Sequence, residues 1–337
     1  MKECLVIAEA GVNHNGDMKL AKKLIKSAAK AGADYVKFQS FKTKNLVTKS
    51  AEQANYQKVN TKRVQSQYEM LMKLELTPEN HYELIRECKN NNIGFLTSAF
   101  DLEGIDFIKN LDVDFLKIPS GEITNLPYLR LAASFNKPLI ISTGMSTLSE
   151  IDCALSIIKK YGKDRNDINI LHCITEYPAP KDLVNLNFIK TLKKCFGLNV
   201  GYSDHTLGID ISIAAVALGA NIIEKHITLD KNLEGPDHKA SLEPHEFEEM
   251  VRSIKVVQKS LGSGIKKLTN IEIDNAKVAR KSIVAKKDIA IGDIFSNENI
   301  DIKRPGIGVS PMRIYEIFGK KSKNHYIIDD LIKFDDA

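Results

Sequence analysis

The sequence predicts an α/β protein: a (β/α)8 barrel over residues 1–262, a linker over 263–279 and a small β-rich domain over 280–337. Three observations carry this. Eight short apolar runs, each followed by residues at helical spacing, succeed one another from the N-terminus to about Leu261, the pattern of alternating strands and crossover helices. Nearly all the unusual polar residues stand at the C-terminal ends of those runs, and a closed parallel barrel gathers such ends into one mouth. From Arg280 onwards the pattern changes to short β runs and turns. A doubly wound open sheet is the alternative for the first part.

The units follow in order. CLVIAEAG (4–11) is a strand carrying Glu9, and DMKLAKKLIKSAAKAGA has helical spacing with Gly32 as its stop. DYVKFQSF (34–41) carries Lys37 and Gln39. Residues 42–76 are too long for a plain connection and read as a lid or insertion with a short helix of its own. Thr77 and Pro78 suit the N-cap and first turn of a helix through Cys88. IGFLTSAF, DFLKIPSGE, KPLIISTGM, INILHCITEYP, NVGYSDH and NIIEKHITLD complete the eight. GSGIKKLTNIEIDNAKVA opens with two glycines and reads as a linker with a short helix. The C-terminal module, ending in YIIDDLIKF, is small enough to depend on docking to something larger.

Composition narrows the function. With 43% hydrophobic and 27% charged residues among 337, the chain has material for a large core. A net charge of +5 is mild and fits anionic small-molecule substrates; without basic runs interleaved with aromatics it does not point to nucleic acid. Five scattered cysteines without a CxxC spacing suggest reduced thiols. MKECLVIAE lacks the features of a signal peptide, and no apolar run reaches the ~18 residues of a membrane span. A soluble cytoplasmic protein is expected.

The stretch 199–240 organises the chemistry. His205 follows the seventh strand and His226 ends the eighth, 226 − 205 = 21 residues later, about the length of one tight crossover. Each histidine alone suits a core position. Delivered to matched ends of adjacent strands, with Asp204, Glu224 and Asp237 nearby, the two form a candidate site for a divalent cation. Lys37 and Lys117 end the second and fourth strands, and Ser98, Ser120, Ser142 and Ser203 recur on the third, fourth, fifth and seventh. A single such serine suits a turn, but together with two ammonium groups they suit phosphate or carboxylate oxygens. Glu9 and Glu122 stand at the same rim, either for proton transfer and water orientation or as ion-pair partners of the lysines. Tyr177 offers a hydroxyl to a polyol or packs as an aromatic. His14 is placed near the mouth, His172 in the core or behind the site, and His81, His245 and His325 on helix surfaces or loops.

EAGVNHNGD (9–17), VKFQSF (36–41), KIPSGE (117–122), STGM (142–145), TEYPAP (175–180), GYSDHT (201–206), EKHITLD (224–230), GPDHKASLEP (235–244) and KRPGIG (303–308) together give a resemblance. In this order, over the whole chain, they resemble the bacterial sialic acid synthase family, which includes the N-acetylneuraminate and legionaminate synthases and carries a C-terminal antifreeze-like (SAF) domain. The resemblance implies condensation of phosphoenolpyruvate with the open-chain aldehyde of an N-acetylated mannosamine-type sugar, giving a 2-keto nonulosonic acid and phosphate. It implies Mn²⁺ or Mg²⁺ on His205 and His226, polarising the aldehyde. It places Lys37, Lys117, Ser98, Ser120, Ser142, Ser203 and Gln39 around phosphoenolpyruvate, gives Glu9, Glu122 and Asp237 to water and sugar, and makes Tyr177 a sugar contact. It also implies a domain-swapped homodimer in which Arg304 of one subunit reaches the other's barrel.

Thr175 stands where some members carry asparagine, so no phosphoenolpyruvate contact is assigned there. TEYPAP leaves mono- and diacetamido sugars both open. Two other classes compete. A metal-free Schiff-base aldolase would use Lys37, Lys117 or Lys225 as nucleophile, and a non-catalytic barrel would carry an ice- or glycan-binding tail.

Overall fold

Eight parallel strands pair in chain order and the last returns to the first, closing a barrel. The structure, a computed structural model, describes residues 3–61 and 65–333. Residues 62–64 of the insertion and Phe334, the last residue of the C-terminal run, lie outside that range. The strands are β1 (Leu5–Gly11), β2 (Tyr35–Ser40), β3 (Gly94–Ala99), β4 (Leu116–Ile118), β5 (Leu139–Ser142), β6 (Ile168–Cys173), β7 (Asn199–Asp204) and β8 (Ile222–His226). Closure excludes the open-sheet alternative.

The helices begin where the sequence supplies caps. Helix α1 (Met18–Lys30) starts at Asp17, whose side chain accepts the Lys19 N–H. Among the described residues the stretch 42–76 holds three short helices rather than one: α2 (Thr43–Leu46), α3 (Asn55–Thr61) and α4 (Gln67–Met72), the last opened by a reciprocal Ser66–Glu69 capping box. Helix α5 (Pro78–Asn90) has the Thr77 cap and first-turn proline; such a cap contributes about 1 kcal/mol. Then come α6 (Leu102–Lys109), α7 (Leu126–Ala133), α8 (Leu148–Lys160), α9 (Phe188–Phe196), α10 (Asp210–Ala217) and α11 (Pro244–Leu261).

Two apolar layers result from strand alternation. Outward residues such as Val6, Val36, Phe38 and Val200 pack under the helices. Inward, Ile7, Leu96, Ile140, Leu171 and Ile222 fill the barrel. Two residues further along the strands the inward set turns polar: Glu9 is paired with Lys37 on β2 and His226 on β8, Ser98 with Lys117, and Ser203 with Glu224. The fold therefore sets a charged ring on an apolar floor.

The chain divides into two compact units, Met1–Gly262 and Ser263–Ala337. In the second, α12 (Asn270–Ala279) starts at a Thr269–Glu272 capping box. Strands β9 (Ser282–Ala285) and β10 (Ile300–Lys303) pair antiparallel, and α13 (Ile314–Ile317) completes it. Ile283, Phe295, Ile300, Ile317 and Tyr326 form its small core.

Candidate active site

A cavity of about 460 Å³ opens at the C-terminal ends of the barrel strands. Twelve of the sequence-derived site residues line it: Glu9, Lys37, Gln39, Ser98, Lys117, Ser120, Ser142, Tyr177, Ser203, His205, His226 and Asp237. Two do not. Glu122 lies in the short turn after β4, where its carboxylate accepts Asn125 Nδ2 at 2.6 Å. Arg304 is exposed directly after β10 in the second unit.

One side of the cavity is a buried charge network. Lys37 Nζ is 2.8 Å from Glu9 Oε2 and 3.7 Å from Glu224 Oε1, and Lys117 Nζ is 3.5 Å from Glu224 Oε2. Each ammonium also donates to a serine: Lys37 to Ser98 Oγ at 3.0 Å, Lys117 to Ser142 Oγ at 2.8 Å. The serines thus aim the lysines. Burial alone would push Glu224 up, but the Lys117 and Lys37 ammonium groups outweigh it and hold the carboxyl down to about 2. Glu9 goes the other way: burial raises it, and the charge on Glu224 adds to the rise against Lys37. Of the two carboxyls, Glu9 is the one that takes up a proton first. Gln39 Nε2 donates to its Oε1 at 3.1 Å. Beyond β4, Ser120 Oγ accepts the Gly144 N–H at 3.0 Å. A Cβ on Gly144 would fall 2.6 Å from the Thr175 methyl, so only glycine allows that approach.

The other side is aromatic. His205 and His226 have ring centroids 5.5 Å apart at 66°. Tyr177 lies 4.1 Å from the His205 ring and 5.6 Å from that of His226. His205 Nδ1 is 2.5 Å from the Ile174 carbonyl; a carbonyl only accepts, so the proton is on Nδ1 and Nε2 carries the lone pair, with Ser203 Oγ 3.4 Å away. Burial pushes His205 down to about 4 and His226 well below the usual imidazole value, which keeps both rings in the neutral form that binds metals. His226 Nδ1 is buried with no hydrogen-bond partner among the described residues. These two imidazoles are the side chains that would hold a divalent cation here. Among the described residues no group of three or more acidic, histidine or cysteine side chains is placed to hold an ion, so the remaining ligands would be water and substrate.

Asp237, in the loop after β8, is pushed up to about 7 by burial, with Glu9 adding and Lys37 opposing. Its folded value exceeds the ordinary 3.8, so the folded chain retains this proton; the associated stability is full below about pH 4 and is lost as pH rises through 7. Asp237→Asn mimics the protonated form. It is expected to raise the melting temperature by several degrees at pH 8 and far less at pH 5, by calorimetry. An equal change at both pH values would show that the proton sits elsewhere.

Other expectations are revised. Asp204 does not face the cavity: it precedes His205 by one residue and strand alternation turns it outward, into an ion pair with Lys225. Lys225, fully buried there, is not an accessible nucleophile. His81 is buried, not at a helix surface, between Ser40 Oγ and the Thr77 carbonyl. His14 is wholly buried and accepts the Gly16 N–H. His172 is a backing residue whose Nε2 meets the Val184 carbonyl.

The insertion adds residues that the strand-end pattern did not point to. Tyr56 on α3 lies 5.0 Å from Tyr177 between ring centroids, and Asn60 donates to the Pro236 carbonyl at 2.7 Å. Val47, Met70 and Leu74, with Phe41 and Phe100, give the cavity an apolar wall. Their apolar spacing in an otherwise polar stretch was the available signal.

Residues 24–266 match the NeuB family and residues 280–337 the SAF domain. N,N'-diacetyllegionaminic acid synthase of Campylobacter jejuni is 55% identical over 333 residues, covering 99% of this chain and 100% of the relative. The Legionella pneumophila protein of that name is 48% identical over 320 residues, 94% and 90% of the two chains. The crystal structure of N-acetylneuraminic acid synthetase from Leptospira borgpetersenii, in complex with citrate, superposes with a TM-score of 0.73 at 34% identity, covering 81% of this chain and 90% of that one.

Proposed function

The chain belongs to the NeuB family, and from that premise we propose that it condenses phosphoenolpyruvate with the open-chain aldehyde of an acetamido sugar, releasing phosphate. One observation carries this: a pair of serine-aimed ammonium groups and a pair of neutral imidazoles share one cavity. The first pair suits a small phosphorylated acid, the second a carbonyl or hydroxyl oxygen.

Lys37 and Lys117 hold the phosphate and carboxylate oxygens, with Ser98 and Ser142 fixing their direction. Proton uptake by Glu9 would free Lys37 for the incoming anion. Carbon 3 of the enol attacks the aldehyde carbon, and Asp237, poised near neutral pH, gives its proton to the aldehyde oxygen. The electron-poor carbon 2 then takes a water, whose first proton returns to Asp237; the bond from carbon 2 to the bridging oxygen breaks, phosphate leaves with the second proton, and the carbonyl forms at carbon 2. His205 and His226 would hold a divalent cation, Mn²⁺ or Mg²⁺, whose chemistry is to draw electron density from the aldehyde oxygen. Tyr177 and Tyr56 orient the sugar.

The apolar wall of Val47, Met70 and Leu74 supports a deoxygenated, twice-acetylated sugar, as do the two relatives named for diacetyllegionaminic acid. The sugar is then 2,4-diacetamido-2,4,6-trideoxymannose rather than N-acetylmannosamine. Phosphate release with phosphoenolpyruvate and either sugar, or N-acetylmannosamine 6-phosphate, tests this. The expected kcat/KM is at least ~10-fold higher for the diacetamido sugar; no release with any of the three would end the reading.

Five unpaired thiols suit a reducing compartment, the cytoplasm, and no helix among the described residues is long and apolar enough to cross a membrane. A homodimer in which Arg304 of one subunit completes the other's site belongs to the same proposal. Unchanged sugar kinetics in Arg304→Ala would remove that part.

A further inference from the structure

On the side of β7 and β8 facing away from the cavity lies a polar cluster that no step above uses. Asp204 and Lys225 are partners in the strand register, and each precedes one of the two cavity histidines by a single residue. Lys225 Nζ is 2.9 Å from Asp204 Oδ2, with both side chains fully buried. Lys225 also donates to the Thr206 carbonyl at 2.5 Å. One ammonium therefore grips the residues on both sides of His205 from the position next to His226. Asp204 is fixed from its other directions by the Thr206 N–H, the Thr206 hydroxyl and the hydroxyl of Ser212 on α10. Deeper along the strands, a Cβ on Gly201 would lie 2.4 Å from the Ile222 carbonyl, so β7 and β8 meet too closely there for any side chain.

Stability does not account for such a pair, because apolar residues of the same volume fill buried space as well or better. A charged pair with directed hydrogen bonds does supply fixed distances between two backbones. His205 has its own orienting bond to the Ile174 carbonyl. His226 Nδ1 has none among the described residues, so its position is inherited from the backbone that Lys225 anchors. We propose that Asp204 and Lys225 are positioning residues that set the separation of the His205 and His226 rings and, through it, the affinity for a divalent cation. This rests on the reading of those two histidines as ligands.

The test is titration of the full-length, chelator-stripped protein with Mn²⁺ in the absence of substrate, with free Mn²⁺ read by electron paramagnetic resonance. Asp204→Asn/Lys225→Met neutralises both groups together and strands no lone charge. It is expected to fold, by circular dichroism and a cooperative melt, and to bind Mn²⁺ at least ~10-fold more weakly. Ser212→Ala removes a buried bond to the same carboxylate and leaves the bridge intact; its Mn²⁺ affinity is expected to stay close to wild type. Wild-type affinity in the double variant overturns the proposal, as does equal weakening in Ser212→Ala. Should the double variant not fold, Lys225→Arg, which keeps the charge and lengthens the bridge, carries the same expectation and the same overturning result. Absence of Mn²⁺ binding in the wild type would remove the ligand reading and this inference with it, whereas the outcomes above bear on the inference alone.

Discussion

Lys37→Met is expected to lower phosphate release on the order of 10³-fold, the scale of removing one aimed donor from a developing or bound anion. The loss has a second signature in stability. Lys37 is the near counter-ion of Glu9 and lies within 3.7 Å of Glu224; its removal leaves Glu9 buried without its counter-ion beside a Glu224 that keeps Lys117, at a cost on the order of 3–5 kcal/mol. Adding Glu9→Gln removes that unpaired carboxyl. The double variant is therefore expected to regain most of the melting temperature and none of the activity. Recovery of both together, measured by calorimetry and a phosphate assay, would show that Lys37 is a structural ion-pair partner and nothing more.

The second large effect is on the imidazole side. His226→Ala and His205→Ala are each expected to reduce turnover on the order of 10²-fold or more, to the level of wild-type protein treated with a chelator. Mn²⁺ should then restore the treated wild type and not the variants. Both rings are neutral at pH 7 because burial holds them down, so ligand protonation is not expected to limit binding until the pH falls well below neutrality. Full activity after exhaustive chelation would refute the two-histidine site.

The barrel was legible because eight repeats of one pattern reinforce each other, and because polar residues at strand ends have nowhere to go in a closed sheet except its mouth. The lysines, serines and histidines were found by that rule. It failed where a residue's direction depends on a single position. Asp204 is adjacent to a cavity residue and for that very reason points away from the cavity. Glu224, two residues before His226 on the same face, is a full member of the charge network, although the sequence marks it only as a carboxylate close to the histidines. Tyr56 and the apolar wall were invisible to a strand-end rule because they arrive from an insertion whose seat on the barrel is tertiary: a bond from Asn60 to the Pro236 carbonyl and packing of Met70 and Leu74 with Phe41. Glu122 looked like a rim carboxylate, but a short turn after β4 hands it to Asn125 instead.

From Ser203 to His205 and from Glu224 to His226 the inward and outward residues alternate between chemistry and scaffold with no neutral position between. An ordinary half-exposed strand tolerates change at every second residue; here a saturation scan would find intolerance at all of them, for two unrelated reasons. Cellular abundance would fall for single changes at Asp204 and Lys225, which strand a partner charge, while exchanging His205 or His226 would leave abundance high and silence turnover. Scored by growth alone, the two stretches would look like uniform blocks, and the division of labour within them would be lost.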